Sequence, residues 1–132
     1  MLLATQYYRP PFPDARWWEA DLDGIKAAGL NAIQLWACWG WIEPSPGEYR
    51  FDDYDRLVEG ARDRGLQVVI SSVAEIMPFW VPRVFPDTSL VDHLGRPVIS
   101  TERQECNVGL TPGGCTDHAQ VRGAMTDFLQ RL

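Results

Sequence analysis

The sequence predicts an α/β fold: the N-terminal portion, about three βα units, of a (β/α)8 barrel. Three observations predict it. "IKAAGLNAIQL" (25–35) and "ARDRGLQVVIS" (61–71) repeat one design, a last helical turn, Gly-Leu, then a short apolar run, with Gly29 and Gly65 36 residues apart. The runs after each Gly are apolar on both faces, as in a parallel strand covered on both sides. The loop after the first strand, "YYRPPFPDA", holds three prolines and no glycine. That loop disfavours the doubly wound nucleotide fold, whose first turn carries a Gly-rich phosphate cradle.

Each element follows from local signals. "MLLATQYY" reads as strand one, over 2–7. Pro13 and Asp14 are helix-start signals, so a helix runs 14–28 with Trp18, Leu22, Ile25 and Gly29 on one face. Trp17 and Trp18 are both read as packing residues. A left-handed residue at the helix C′ position costs little for glycine, which places Gly29 and Gly65 just past two helix ends. Strand two follows over 31–36. A second helix runs 53–64 and presents Tyr54, Leu57, Val58 and Ala61; strand three is 67–73. A long loop then leads to a helix from about Asp117, with Val121, Met125, Phe128 and Leu132 on one face.

Three strand–helix units of about 35 residues imply a parallel sheet with right-handed crossovers. A complete barrel takes roughly 250 residues, so residues 1–132 are expected to be a partial barrel lacking strands four to eight. A self-contained three-stranded domain is the alternative architecture.

Composition narrows the function. The chain is 45% hydrophobic and 23% charged, ordinary for a globular protein, with a formal net charge of −6. Its twelve basic residues are scattered singly, which excludes a phosphate-binding stripe and hence a nucleic-acid partner. No apolar run approaches the ~18 residues of a membrane span, and no signal peptide opens the chain. Three cysteines, an odd number, point to a reducing, cytoplasmic setting. Cys38, inside strand two, reads as a small buried hydrophobe.

Barrel function sits where strands end and βα loops begin. Gln6, Tyr7, Tyr8 and Arg9 follow strand one; Trp36, Trp39, Trp41 and Glu43 follow strand two; Glu75, Trp80, Arg103, Cys106 and Asn107 follow strand three. Aromatic rings among carboxylates and amides suit a carbohydrate, since rings stack on sugar C–H patches while polar groups take the hydroxyls. Strand alternation means that Trp36 and Trp39 do not share a face. One of the three tryptophans is expected to line a sugar cleft and the others to pack.

In order along the chain stand Tyr7-Tyr8, Trp18-Glu19-Ala20-Asp21, Ala28-Gly29-Leu30-Asn31, then Trp41 with Glu43-Pro44, Gly47, Tyr49 and Phe51. Together with "PFWVPRVFPDTSLVDHLGRPV", they make nearly the whole chain resemble the opening of glycoside hydrolase family 42. The resemblance implies a retaining glycosidase of β-galactosidase type, acting on terminal β-galactosides or related β-glycosides in a (β/α)8 barrel. A non-catalytic carbohydrate-binding or scaffold barrel is the rival reading. The chain departs from the family pattern at Arg103-Gln104-Glu105-Cys106-Asn107, where a His and an aromatic residue are usual, which leaves the substrate preference open.

The family's acid/base is the Glu of an Asn-Glu pair at the end of strand four, and its nucleophile ends strand seven. This chain has no Asn-Glu pair, so both carboxylates are expected beyond residue 132, and residues 1–132 alone are expected to be inactive. Glu43, before a Pro turn, is read as tying down its loop by hydrogen bonds; neither it nor Glu75 is given a catalytic role. The substrate-contact candidates are Arg103, matching the family's sugar-contacting arginine, with Tyr7, Trp36 and Glu75. No cofactor is required. Cys106, Cys115 and His118 have ligand-like chemistry, and some family members bind a structural zinc through a cysteine cluster that includes one near Cys106, which makes Cys106 the metal candidate. The implied partner is a carbohydrate, and the full-length protein is expected to be homo-oligomeric.

Overall fold

The computed structural model describes residues 1–98, 108–110 and 113–132. Its elements are β1 (Ala4–Tyr8), a 3-10 turn (Ala15–Trp17), α1 (Trp18–Ala27), β2 (Ala32–Cys38), α2 (Trp39–Ile42), α3 (Asp52–Asp63), β3 (Gln67–Val73), α4 (Val81–Val84) and α5 (Ala119–Arg131). The chain forms two compact units, one of Met1–Trp36 with Arg50–Ser71, the other of Ala37–Tyr49 with Ser72–Leu132.

The first unit holds the helix–strand repeat. The sheet order is β1-β2-β3, and β1 pairs with β2 in parallel. The two Gly-Leu sites close their helices alike. The Gly29 amide donates to the Lys26 carbonyl and the Leu30 amide to Ile25; the Gly65 amide donates to Arg62 and the Leu66 amide to Ala61. This is the Schellman pattern, and both glycines take the left-handed backbone it needs, at φ 82° and 63°. Asn31 then fixes the entry of β2. Its side-chain carbonyl accepts from the Leu3 amide at 2.7 Å and its main-chain carbonyl accepts from the Gln67 amide at 2.8 Å.

Ile33, Leu35, Leu22 and Leu57 are sealed from solvent, and α1 meets α3 where Leu22 faces Gly60. A Cβ at Gly60 would stand 2.9 Å from Leu22 Cδ1, so a small residue is what lets these helices approach. Arg64 closes the same seam, its Nε 2.6 Å from Asp23 Oδ1 and its Nη2 2.7 Å from Glu19 Oε2. Phe12 packs edge-on against both Trp18 and Tyr54.

Three expectations need correction. Trp17 is 53% exposed while Trp18 is buried. Trp17 closes the 3-10 turn that Asp14 caps, one residue before α1, where its side chain points away from the helix's packed stripe. On α3, Val58 is exposed and Gly60 buried, Gly60 standing where the helix meets Leu22. Leu132 follows the last residue of α5 and is exposed, while Val121 and Phe128 on the helix are buried.

The second unit is built of short pieces around aromatic rings. Trp39 and Phe128, both fully buried, lie nearly parallel with centroids 5.8 Å apart, and Trp80 meets Trp39 edge-on at 6.0 Å. Single antiparallel bridges stitch the loop, Met77 to Leu110 and Ser89 to Gly114. The Gly40 amide donates to the Ile76 carbonyl at 2.9 Å, and a Cβ at Gly40 would overlap the Val108 carbonyl oxygen.

Candidate functional site

In the first unit, the face of the sheet that carries Gln34 and Trp36 alternates with the buried Ile33 and Leu35. A row of polar side chains crosses it. Gln6 Nε2 donates to Gln34 Oε1 at 3.0 Å, and Gln34 Nε2 donates to Ser71 Oγ at 2.7 Å. The row therefore has a direction, and the Ser71 hydroxyl at its end keeps its own proton to donate. Two residues further toward the strand ends, Tyr8 and Trp36 meet at 4.9 Å with their rings tilted by 57°. Trp36 Nε1 is buried and has no hydrogen-bond partner among the described residues. A buried N–H left unpaired costs about 1–3 kcal/mol, so this donor calls for an acceptor.

A bulge interrupts the pairing at this point. The β1–β2 register runs Gln6 to Gln34 and then Tyr8 to Leu35, so Tyr7 is the extra residue. Tyr8 takes φ 74°, a left-handed conformation that side chains other than glycine rarely adopt. Strand alternation puts the two tyrosines on opposite faces. The Tyr7 hydroxyl donates to Asp21 Oδ2 on α1 at 2.6 Å, on the helix side of the sheet. Burial, then that hydrogen bond, raises the Tyr7 phenol well above its ordinary range. Tyr8 turns to Trp36 instead.

Of the sequence candidates, Tyr7 and Trp36 lie in this unit on opposite sides of the sheet. Glu75 lies in the second unit and is exposed. Arg103 and Cys106 fall outside the described residues. Reading residue types along the chain missed Gln34 and Ser71. The available signal was Gln34, the one polar residue of β2; Ser71 shares its strand with Gln67 and Ser72 and does not stand out.

Glu43 does tie its loop down. It is 3% exposed; Oε2 accepts from the Trp39 indole at 2.6 Å and Oε1 from the Gly47 amide at 2.7 Å. Its main-chain carbonyl accepts from the Trp80 indole at 2.9 Å. With both carboxylate oxygens engaged, Glu43 is a structural acid. The same negative charge, after burial, raises the Tyr49 phenol. Cys38 is fully buried, as a small hydrophobe in a strand should be. No group of three or more His, Cys, Asp or Glu that could hold a metal ion occurs among the described residues, and no helix among them is long and apolar enough to cross a membrane.

The sequence profile of glycoside hydrolase family 42, described as beta-galactosidase, matches residues 7–111. The chain belongs to this family. Beta-galactosidase LacA of Lactobacillus acidophilus is 29% identical over 91 residues, covering 67% of this chain and 14% of the relative. Beta-galactosidase BgaA of Clostridium cellulovorans is 28% identical over 123 residues, covering 92% of this chain and 17% of the relative. Among solved structures, the polyextremophilic beta-galactosidase of Halorubrum lacusprofundi superposes with a TM-score of 0.81 at 23% identity, over 99% of this chain and 18% of that one. The chain thus shares its fold with one stretch of a much longer glycosidase and spans less than a fifth of the length of these relatives.

Proposed function

We propose that the full-length protein is a retaining glycoside hydrolase of β-galactosidase type, acting on terminal β-galactosides or related β-glycosides. The observation that carries this reading is the family match over residues 7–111. The three strands are then the opening of a closed (β/α)8 barrel, and the sugar sits at the strand ends, where such barrels do their chemistry. The polar row and aromatic pair at the ends of β1 and β2 support that placement. Trp36 keeps its assigned contact and the family resemblance assigns another to Arg103, while Tyr7, its hydroxyl bonded to Asp21 on the helix side of the sheet, does not face the sugar. The reaction needs two carboxylates ~5–5.5 Å apart; Glu43, buried and tied to the Trp39 indole and the Gly47 amide, is not one of them. Cys106 remains the chain's own contribution to a structural zinc.

The test is the full-length protein on a nitrophenyl β-galactoside, with the released sugar followed by NMR. Double displacement predicts that the β-anomer appears first and then mutarotates. Initial release of the α-anomer overturns the retaining mechanism. Absence of hydrolysis, with saccharide binding intact, favours the non-catalytic barrel.

A further inference from the structure

The strand-end face of the first unit carries two features that packing leaves unexplained. One is Tyr8, held at φ 74° and 39% exposed although it is an aromatic residue at the end of a strand. The other is the Trp36 indole N–H, buried without a partner among the described residues. The two rings touch. Beneath them runs the fixed row of Gln6, Gln34 and Ser71, and the Arg9 guanidinium carbon lies 4.8 Å from the Tyr8 ring centroid.

An unstrained Tyr8 would continue the strand. The bulge at Tyr7 and the left-handed turn at Tyr8 cost backbone energy, and sites of that kind persist where the displaced side chain has a use. Here an accessible aromatic ring stands beside an unsatisfied donor, above a polar floor. A flat apolar patch flanked by directional donors matches a pyranose, whose C–H face is apolar and whose rim carries hydroxyls. It does not match a phosphate, which would need clustered cations.

We propose that Tyr8 and Trp36 form a sugar subsite in which the Tyr8 ring stacks on the pyranose C–H face and the Trp36 N–H donates to a sugar hydroxyl. Tyr8 then sets specificity by ring contact rather than through its hydroxyl, and the amide row holds Trp36's strand in register below. This rests on the glycosidase reading and adds to it a residue and a role.

Titration of methyl β-galactoside into the full-length protein separates the possibilities, with KM on a nitrophenyl β-galactoside and the thermal midpoint measured alongside. Tyr8→Phe should bind as the parent does. Tyr8→Ala and Tyr8→Gly should both weaken binding about tenfold, the loss expected for one stacking ring. Tyr8→Gly should melt higher than Tyr8→Ala, because glycine accepts the backbone conformation. Trp36→Phe, which keeps a ring but drops the N–H, should weaken binding about fivefold. Unchanged affinity in Tyr8→Ala overturns the subsite while hydrolysis by the parent leaves the function standing. A parent that binds but does not hydrolyse overturns the function, and loss of that binding in Tyr8→Ala still supports the subsite. A parent that neither binds nor hydrolyses overturns both.

Discussion

The two units are held together by different means. In the first, order comes from repetition: two Schellman-capped helices lay periodic apolar stripes on a sheet, with Leu22 and Leu57 fully buried. In the second, order comes from single points. One carboxylate, Glu43, gathers the Trp39 indole and the Gly47 amide, and Gly40 and Gly113 are pressed against Val108 and Met77. A periodic layer spreads its stability over many interchangeable contacts. A point-held loop concentrates it in a few polar atoms that have no substitute.

The largest effect should therefore come from the second unit. Glu43→Ala removes the acceptor from two donors, one of them on the sealed Trp39 ring, and leaves a cavity. Stranding buried partners of a charged group costs about 3–5 kcal/mol. Urea unfolding should show that loss, with Glu43→Gln recovering part of it because one acceptor oxygen remains. A Glu43→Ala protein within about 1 kcal/mol of the parent would mean that the loop is held by its aromatic packing instead.

Next is the first unit's own centre. Leu22→Ala should cost about 3 kcal/mol, the transfer energy of the lost carbons plus the void left against Gly60. Filling from the other side is no remedy, since Gly60→Ala would press into Leu22 Cδ1. If the double variant Leu22→Ala, Gly60→Ala were more stable than Leu22→Ala alone, the new methyl would be entering that void, and the helix seam would be confirmed as the limiting contact.

This contrast also explains what was legible in the sequence. Helix ends at Gly29 and Gly65, the three strands and the structural role of Glu43 were readable because each follows from a short local rule: a left-handed C′ glycine, an apolar run, a carboxylate before a Pro turn. The side chains that define the candidate site were less so. Tyr7 rather than Tyr8 was singled out, although alternation from Gln6 gives Tyr8 the face of Gln34 and Trp36 and Tyr7 the helix side. What the sequence hid is the register shift between Gln6 and Tyr8, since nothing in "ATQYYRP" announces it. Trp17 misled for a related reason. Its position next to Trp18 suggested shared packing, whereas a 3-10 turn has a different angular step from the helix it precedes. The short α2 and α4 and the bridges of the second unit depend on contacts distant in sequence, which no local rule reports.

The smallest effect separates the units by charge. In the first, the Arg64 guanidinium hydrogen-bonded to Asp23 holds that carboxyl below its ordinary range. In the second, the Arg96 backbone N–H, followed by the Arg96 side chain, does the same for Asp92. A carboxyl whose folded pKa lies below its unfolded value binds its proton more weakly when folded. Its stabilisation is present above the ordinary value of about 4 and is lost as pH falls through the lowered one. Unfolding free energy should thus decline on acidification from about pH 5, and Arg64→Gln and Asp92→Asn should each flatten part of that slope. Salt tells the two apart. Asp23 is 67% exposed and leans on a full charge, the Arg64 guanidinium, an attraction weakened at about 1 M salt, where the Debye length is ~3 Å. Asp92 also accepts short bonds from the Leu94 and Arg96 amides, at 2.9 and 3.0 Å, and backbone dipoles at contact distance are far less sensitive to ions. The Arg64→Gln difference should therefore shrink in high salt more than the Asp92→Asn difference. Equal loss of both would show that Asp92 owes its shift to the Arg96 side chain, and that charge rather than loop geometry steadies that turn.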